Sequence, residues 1–165
     1  MTTRITRHTY DTAIPLEIWD CPGNINLESL DAPLNQFSSL IFVIDIQDLY
    51  QQPIEKLVDY VITAYHENPN MNLEVFVHKG DALAEDYKYE NFSHIQSRVL
   101  DELADISTEY GQIMLNFHLT SIYDHSLREA FSKVLQRLVY FLGNYEDLIN
   151  VFCAVQFFVY QDIFM

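Results

Sequence analysis

Two short apolar runs, "LIFVID" (Leu40–Asp45) and "LEVFVH" (Leu73–His78), constrain this chain most. Runs that are apolar at nearly every position, rather than at every second one, belong to strands buried on both faces. Such strands occur in parallel sheets covered by helices. Between the runs lie Ile54, Leu57, Val58, Val61, Ile62 and Tyr65, at steps of 3, 1, 3, 1 and 3 residues, which is one face of a helix. Ile95, Val99, Leu103 and Ile106 mark a second helix, and "IMLNFHL" (Ile113–Leu119) a third strand. Leu127, Phe131, Val134, Leu135, Leu138 and Leu142 follow on a third helix, ended by Gly143-Asn144. The helix opens with "SLRE" (Ser126–Glu129), the S-x-x-E form of a capping box. Ahead of all this, "TRITRHTY" and "AIPLEIW" flank Asp11-Thr12 as a hairpin. The expected fold is α/β, a mixed and mostly parallel sheet with helices on both faces.

A length of 165 residues fits one domain, and 49% hydrophobic residues argues against disorder. Nine Lys and Arg against 24 Asp and Glu give a net charge of −15, which repels nucleic acid and anionic lipid. No apolar run approaches the roughly 18 residues of a membrane span, so direct membrane insertion is not expected. The most apolar stretch, "FCAVQFFVYQDIFM", is broken by Gln156, Gln161 and Asp162. Cys21 and Cys153 read as reduced cytosolic thiols. His66, His94, His118 and His125 share no metal-ligand spacing with them, so surface or capping roles are expected. Asp45 and Asp48 end a strand and start a loop, without the features of an acid–base pair.

Open parallel sheets bind ligands outside the carboxyl ends of their strands. There stand "DCPG" (Asp20–Gly23), "DIQD", "HKGD" (His78–Asp81) and "TSIYD" (Thr120–Asp124). In "HKGD", Asp81 can accept two N–H bonds from the edge of guanine, a charge-assisted and geometrically selective pair, while the Lys79 stem lies along the base. In "TSIYD", following Ser121, the Ile122 N–H can meet the guanine carbonyl. In "DCPG", Asp20 can hold the water shell of a Mg²⁺ ion and the Gly23 N–H can touch a terminal phosphate. Taken singly, each has an ordinary reading: a solvated polar loop, a Ser/Thr turn entering a helix, and a Pro-Gly turn after a strand. Their shared chain order, each at a strand's carboxyl end, is what gives them weight.

At these residues the chain resembles the Rag/Gtr small GTPases, and in particular the RagC/D-type subunit. "IWDCPGN", "LIFVIDIQDLY", "NPNMNLEVFVHKGDAL" and "TSIYDHSLREAFSKVLQRL" carry the likeness, together with His78 where most GTPases have Asn. It extends from about Thr2 to Phe152. The resemblance implies GTP/GDP binding with Mg²⁺ and a heterodimer with a RagA/B-type subunit. It also implies relay of amino-acid sufficiency to the target-of-rapamycin complex and its lysosomal or vacuolar scaffold, with the chain cytoplasmic and held at that membrane through partners.

The chain departs from the family in one decisive respect: it has four glycines and no G-x-x-x-x-G-K-[ST] phosphate loop. The resemblance therefore implies an incomplete Ras-like G domain over residues 1–143, lacking the central P-loop strand and the first helix, with that loop upstream of Met1. Thr2 would be a remnant of the first switch. Residues 144–165 would be a remnant of the linker and the start of a roadblock-type domain, with a divergent apolar tail. Charge-assisted bonds contribute about 1.5–3 kcal/mol each, so losing three phosphate contacts weakens nucleotide by roughly three to six orders of magnitude. GTP hydrolysis is expected to be weak or absent. A gap in mid-sheet would strand backbone groups at about 1–3 kcal/mol each. Four ways of covering it are open: the flanking strands pair, the amino-terminal hairpin swings away, a partner donates a strand, or the tail residues Phe157, Phe158, Val159 and Tyr160 cover an edge. The competing functions are a non-catalytic interaction fragment and a truncated isoform without activity.

Overall fold

The computed structural model describes residues 4–11, 16–23, 25–27, 30–47, 51–143 and 153–159, with backbone only for 140–143 and 153–159. Six strands form one sheet in the order β1-β2-β6-β3-β4-β5. They are β1 (Thr6–Tyr10), β2 (Leu16–Pro22), β3 (Phe37–Asp45), β4 (Asn72–His78), β5 (Leu115–Leu119) and β6 (Cys153–Val159). The helices are α1 (Gln51–Glu67), α2 (Glu85–Ile106) and α3 (Ser126–Gly143). Strands β1 and β2 pair antiparallel, and every other pairing is parallel. Tyr10 opposes Leu16, so the hairpin connection runs through residues 11–15. Of the expected Asp11-Thr12 turn, Thr12 lies outside the described residues.

Burial on both faces of β3 follows from its sequence. Leu40, Phe42 and Ile44 join Leu73, Val75 and Val77 of β4 on one face, packed by Ile54, Leu57, Val58 and Val61 of α1 and by Ile95, Val99 and Leu103 of α2. Ile41, Val43 and Phe76 point the other way, onto Ala130, Val134 and Leu138 of α3. Pro53 sits in the first turn of α1, where a helix has no use for its missing N–H. Ile106, expected on the buried face of α2, ends the helix and is 57% exposed.

The position between β2 and β3 is filled by β6, from the far end of the chain. Residues 153–159 run parallel to both neighbours, with Gln156 opposite Trp19 on one side and Leu40 on the other. Strands β2 and β3 therefore do not pair with each other, and the tail lies inside the sheet rather than along an outer edge. In the backbone ladder β6 is the sole bridge, among the described residues, between the β1–β2 hairpin and β3–β4–β5. An interior position suits an apolar strand whose backbone donors and acceptors all need partners.

His118 is buried, against the expectation of a surface role. Its Nε2 lies 2.8 Å from Glu74 Oε2. Arg137 Nη1, from α3, donates to both Glu74 oxygens at 2.6 and 2.8 Å. Glu74 takes the α3-facing position two residues before Phe76, so a charge stands in an otherwise apolar strand. Its desolvation is offset by an arginine and a histidine from separate elements.

Candidate functional site

The loops after β4 and β5 meet and hold each other. Thr120 continues β5 far enough for its N–H to donate to the Val77 carbonyl at 2.8 Å, and the Gly80 N–H returns a bond to the Thr120 carbonyl at 3.1 Å. Gly80 is a glycine for reasons of space: a Cβ there would meet Leu119 Cδ1 at 3.0 Å. Across this junction the Ser121 hydroxyl donates to the Asp81 carboxylate. Ser121 Oγ also accepts the Tyr123 N–H at 3.0 Å. One carboxylate oxygen of an exposed Asp81 is thus oriented by a buried serine. His78 Nδ1 lies 2.9 Å from Thr120 Oγ1, tying the start of one loop to the other. Burial pushes the His78 imidazole below its ordinary value; Lys79 acts in the same direction, and the charges of Asp81 and Asp45 oppose it.

Lys79 has a left-handed backbone, φ 61° and ψ 36°, alone among the described non-glycine residues in having positive φ. Its ammonium lies 2.7 Å from Asp45 Oδ2, at the end of β3. Asp45 Oδ1 accepts the Gln47 N–H at 2.8 Å, and the Ile46 N–H donates to the His78 carbonyl at 2.9 Å. The lysine carbonyl accepts the Ala82 N–H at 2.9 Å, closing the one-turn 3₁₀ segment that carries Asp81.

The opening of α3 departs from the expected capping box. Asp124 accepts the Ser126 N–H at 2.8 Å and the Ser126 hydroxyl as well. Those bonds hold the Asp124 carboxyl below its usual range. Ser126 Oγ faces back and accepts the Ser121 N–H at 2.8 Å. The cap and the β5–α3 loop are one hydrogen-bonded unit. Ile122, 65% exposed, sits at its tip.

The remaining sequence candidates lie elsewhere. Asp20 is in β2, three strands from β4, or about 14 Å across the sheet. Through β6 its register level is that of Ile41 and Glu74, four residues before β3 and β4 end. Gly23 follows β2, where its carbonyl accepts from Lys56 of α1; burial lowers the Lys56 ammonium from its ordinary value. The Tyr60 hydroxyl donates to the Ile25 carbonyl, fastening the same segment to α1, and burial raises the Tyr60 phenol. Thr2 lies outside the described residues. Among the described residues no group of three or more His, Cys, Asp or Glu is placed to hold a metal ion.

The donors and acceptors that converge suit a purine edge. Asp81 offers a carboxylate for two adjacent N–H groups, while the Ser121 and Tyr123 N–H groups on either side of Ile122 are taken by the Ser126 and Ser121 side chains. Asp45 and Ser126 orient this unit; the sequence placed Asp45 at the ligand-binding rim in "DIQD" without giving it a role, and gave Ser126 none beyond the cap.

Comparison with known proteins agrees with this reading of the fold. The model of the Gtr1/RagA G protein conserved region matches residues 1–161. The GTP-binding protein gtr2 of Schizosaccharomyces pombe is 40% identical over 157 residues, 93% of this chain and 49% of that protein. The Ras-related GTP-binding protein C of Homo sapiens is 43% identical over 145 residues, 86% of this chain and 36% of that protein. The GTP-binding protein GTR2 of Saccharomyces cerevisiae is 36% identical over 145 residues. The chain spans about half or less of the length of these curated relatives. Its mixed sheet with helices on both faces is a partial Ras-like G domain. The chain belongs to the Rag/Gtr family, as a member of the RagC/D type.

Proposed function

We propose that this chain is a Rag-type guanine-nucleotide-binding subunit that reads the base through the loops after β4 and β5. The observation that carries the reading is the Asp81–Ser121 bond, which presents a carboxylate at the junction of two loops at the carboxyl end of the sheet. Asp81 takes the N1 and exocyclic N–H groups of guanine, Ile122 N–H takes its carbonyl, and the Lys79 stem floors the base. Asp20, acting through water on Mg²⁺, and Gly23, on the phosphate, stand apart from this cluster. In a heterodimer the chain pairs with a RagA/B-type subunit and relays amino-acid sufficiency to the target-of-rapamycin complex at the lysosomal or vacuolar surface.

The test is an exchange of base preference. Wild-type chain should bind guanosine in about the millimolar range, with adenosine weaker. Asp81→Asn should lose guanosine and gain xanthosine, whose carbonyl at the second ring carbon accepts from the new amide. Equal binding of guanosine by wild type and Asp81→Asn overturns the reading. Retention of a RagA/B-type subunit on the immobilised chain at micromolar concentration tests the partner; no retention counts against it.

A further inference from the structure

We infer that Asp45 is a positioning residue for base recognition: it holds the Lys79 ammonium at the end of β3 and so keeps the Asp81 carboxylate free for the ligand. The inference rests on the guanine reading for its consequence, though not for its geometry. Asp45 is 3% exposed, and its two oxygens have separate tasks. Oδ1 takes the Gln47 N–H at 2.8 Å and Oδ2 the Lys79 ammonium at 2.7 Å. A buried carboxylate is expensive unless paired, so the pair is held from the Asp45 side. Lys79 in turn adopts the left-handed conformation, a strained choice for a side chain with a Cβ.

The reason such a restraint matters is the composition of the loop. Lys79 and Asp81 are two residues apart, within reach of a lysine stem, and an ammonium resting on Asp81 would compete with the two N–H groups of the base. The ammonium thus has two carboxylates to choose from, and it rests on Asp45, the buried one. Released into water beside Asp81, the lysine would form an ordinary exposed ion pair. Such a pair is enough to weaken a competing ligand about threefold.

Asp45→Asn tests this, because the amide oxygen still accepts the Gln47 N–H while the charge is gone. It is made alone and with Lys79→Met, which keeps the stem and removes the ammonium. Guanosine binding should weaken about threefold in Asp45→Asn, relative to wild type. In the Lys79→Met background the same change should have no further effect. An equal loss in both backgrounds means that Asp45 acts on the fold alone and overturns the inference. A second readout needs no nucleoside: the Asp81 carboxyl carbon resonance, at one neutral pH, should move in Asp45→Asn relative to wild type as the ammonium closes on it. It should stay unmoved between Lys79→Met and the double variant. An unmoved Asp81 resonance in Asp45→Asn also overturns the inference. A moved resonance without guanosine binding leaves the ion-pair restraint standing and rejects the guanine reading.

Discussion

A proline at Gln156 would test whether β6 closes the sheet. Gln156 is opposite Trp19 in β2 and Leu40 in β3, at the middle of the strand. Proline removes one N–H from an interior ladder, and its ring crowds the neighbouring strand. The lost bond is worth about 1 kcal/mol, and the acceptor left unpaired in an apolar sheet about 1–3 kcal/mol more. Steric displacement brings the sum to about 3–5 kcal/mol, a large part of the 5–15 kcal/mol that stabilises an ordinary domain. Because β6 bridges the β1–β2 hairpin to the other strands, the loss should fall on the hairpin first. The protein has one tryptophan, Trp19, buried in β2 against Phe37 with ring centroids 5.0 Å apart and under the Arg7 guanidinium at 3.9 Å. Its fluorescence therefore reports hairpin attachment. In urea, with a slope of about 1–3 kcal/mol/M, the Trp19 transition of Gln156→Pro should move down by about 2 M. Amide exchange at Leu40–Ile44 should accelerate in parallel. A Trp19 midpoint within about 0.3 M of wild type would refute the placement of β6 between β2 and β3.

Other outcomes follow from the same geometry. Arg137→Met leaves the buried Glu74 carboxylate with only weaker partners; breaking a buried pair costs about 3–5 kcal/mol, reduced here because the arginine side chain is 33% exposed. A fall of about 5–10 °C in melting temperature is expected, and no change would mean that Glu74 is hydrated. The His78 imidazole is depressed on folding, so the unfolded chain takes up a proton below about pH 6.5 that the folded chain resists. Its contribution to stability is full above that pH and is lost as pH falls toward the folded value. The stability of wild type relative to His78→Asn, compared by urea titration between pH 7.5 and 5.5, should decline on acidification; a flat or rising difference would contradict it. Tyr60→Phe removes the bond to the Ile25 carbonyl and should cost about 1 kcal/mol, measured as a shift in the urea midpoint.

The legible parts of the fold were those with a period. Continuous apolar runs gave β3 and β4, and the 3-and-4 spacing gave the buried helix faces, apart from Ile106 at the exposed end of α2. The first turns of α2 were silent, because Glu85 to Glu90 alternate charged residues with the exposed rings of Tyr87 and Tyr89. Strand β6 was visible as an apolar stretch but not as a central strand, since nothing local records which edge a strand will join. The Glu74–Arg137–His118 cluster was invisible for a related reason. Its members are separated by 44 and 63 positions, and each looks ordinary in its own segment. In the candidate site, Asp81 and Ser121 were legible from their places after β4 and β5, and the structure joins them. Asp45 was read as a strand end, because its partner Lys79 comes from another loop.

Binding of guanosine, inosine and adenosine to the intact chain, measured side by side by NMR, tests the central claim most directly. Inosine keeps the N1 proton and the carbonyl but lacks the exocyclic amine, so it gives Asp81 one bond where guanosine gives two. Adenosine gives the pair neither the N1 proton nor the carbonyl. The account predicts the order guanosine, inosine, adenosine, with about a tenfold step for each charge-assisted bond lost and the largest amide shifts at Asp81, Ser121 and Ile122. Equal affinities, or shifts that leave those three residues still, would contradict it.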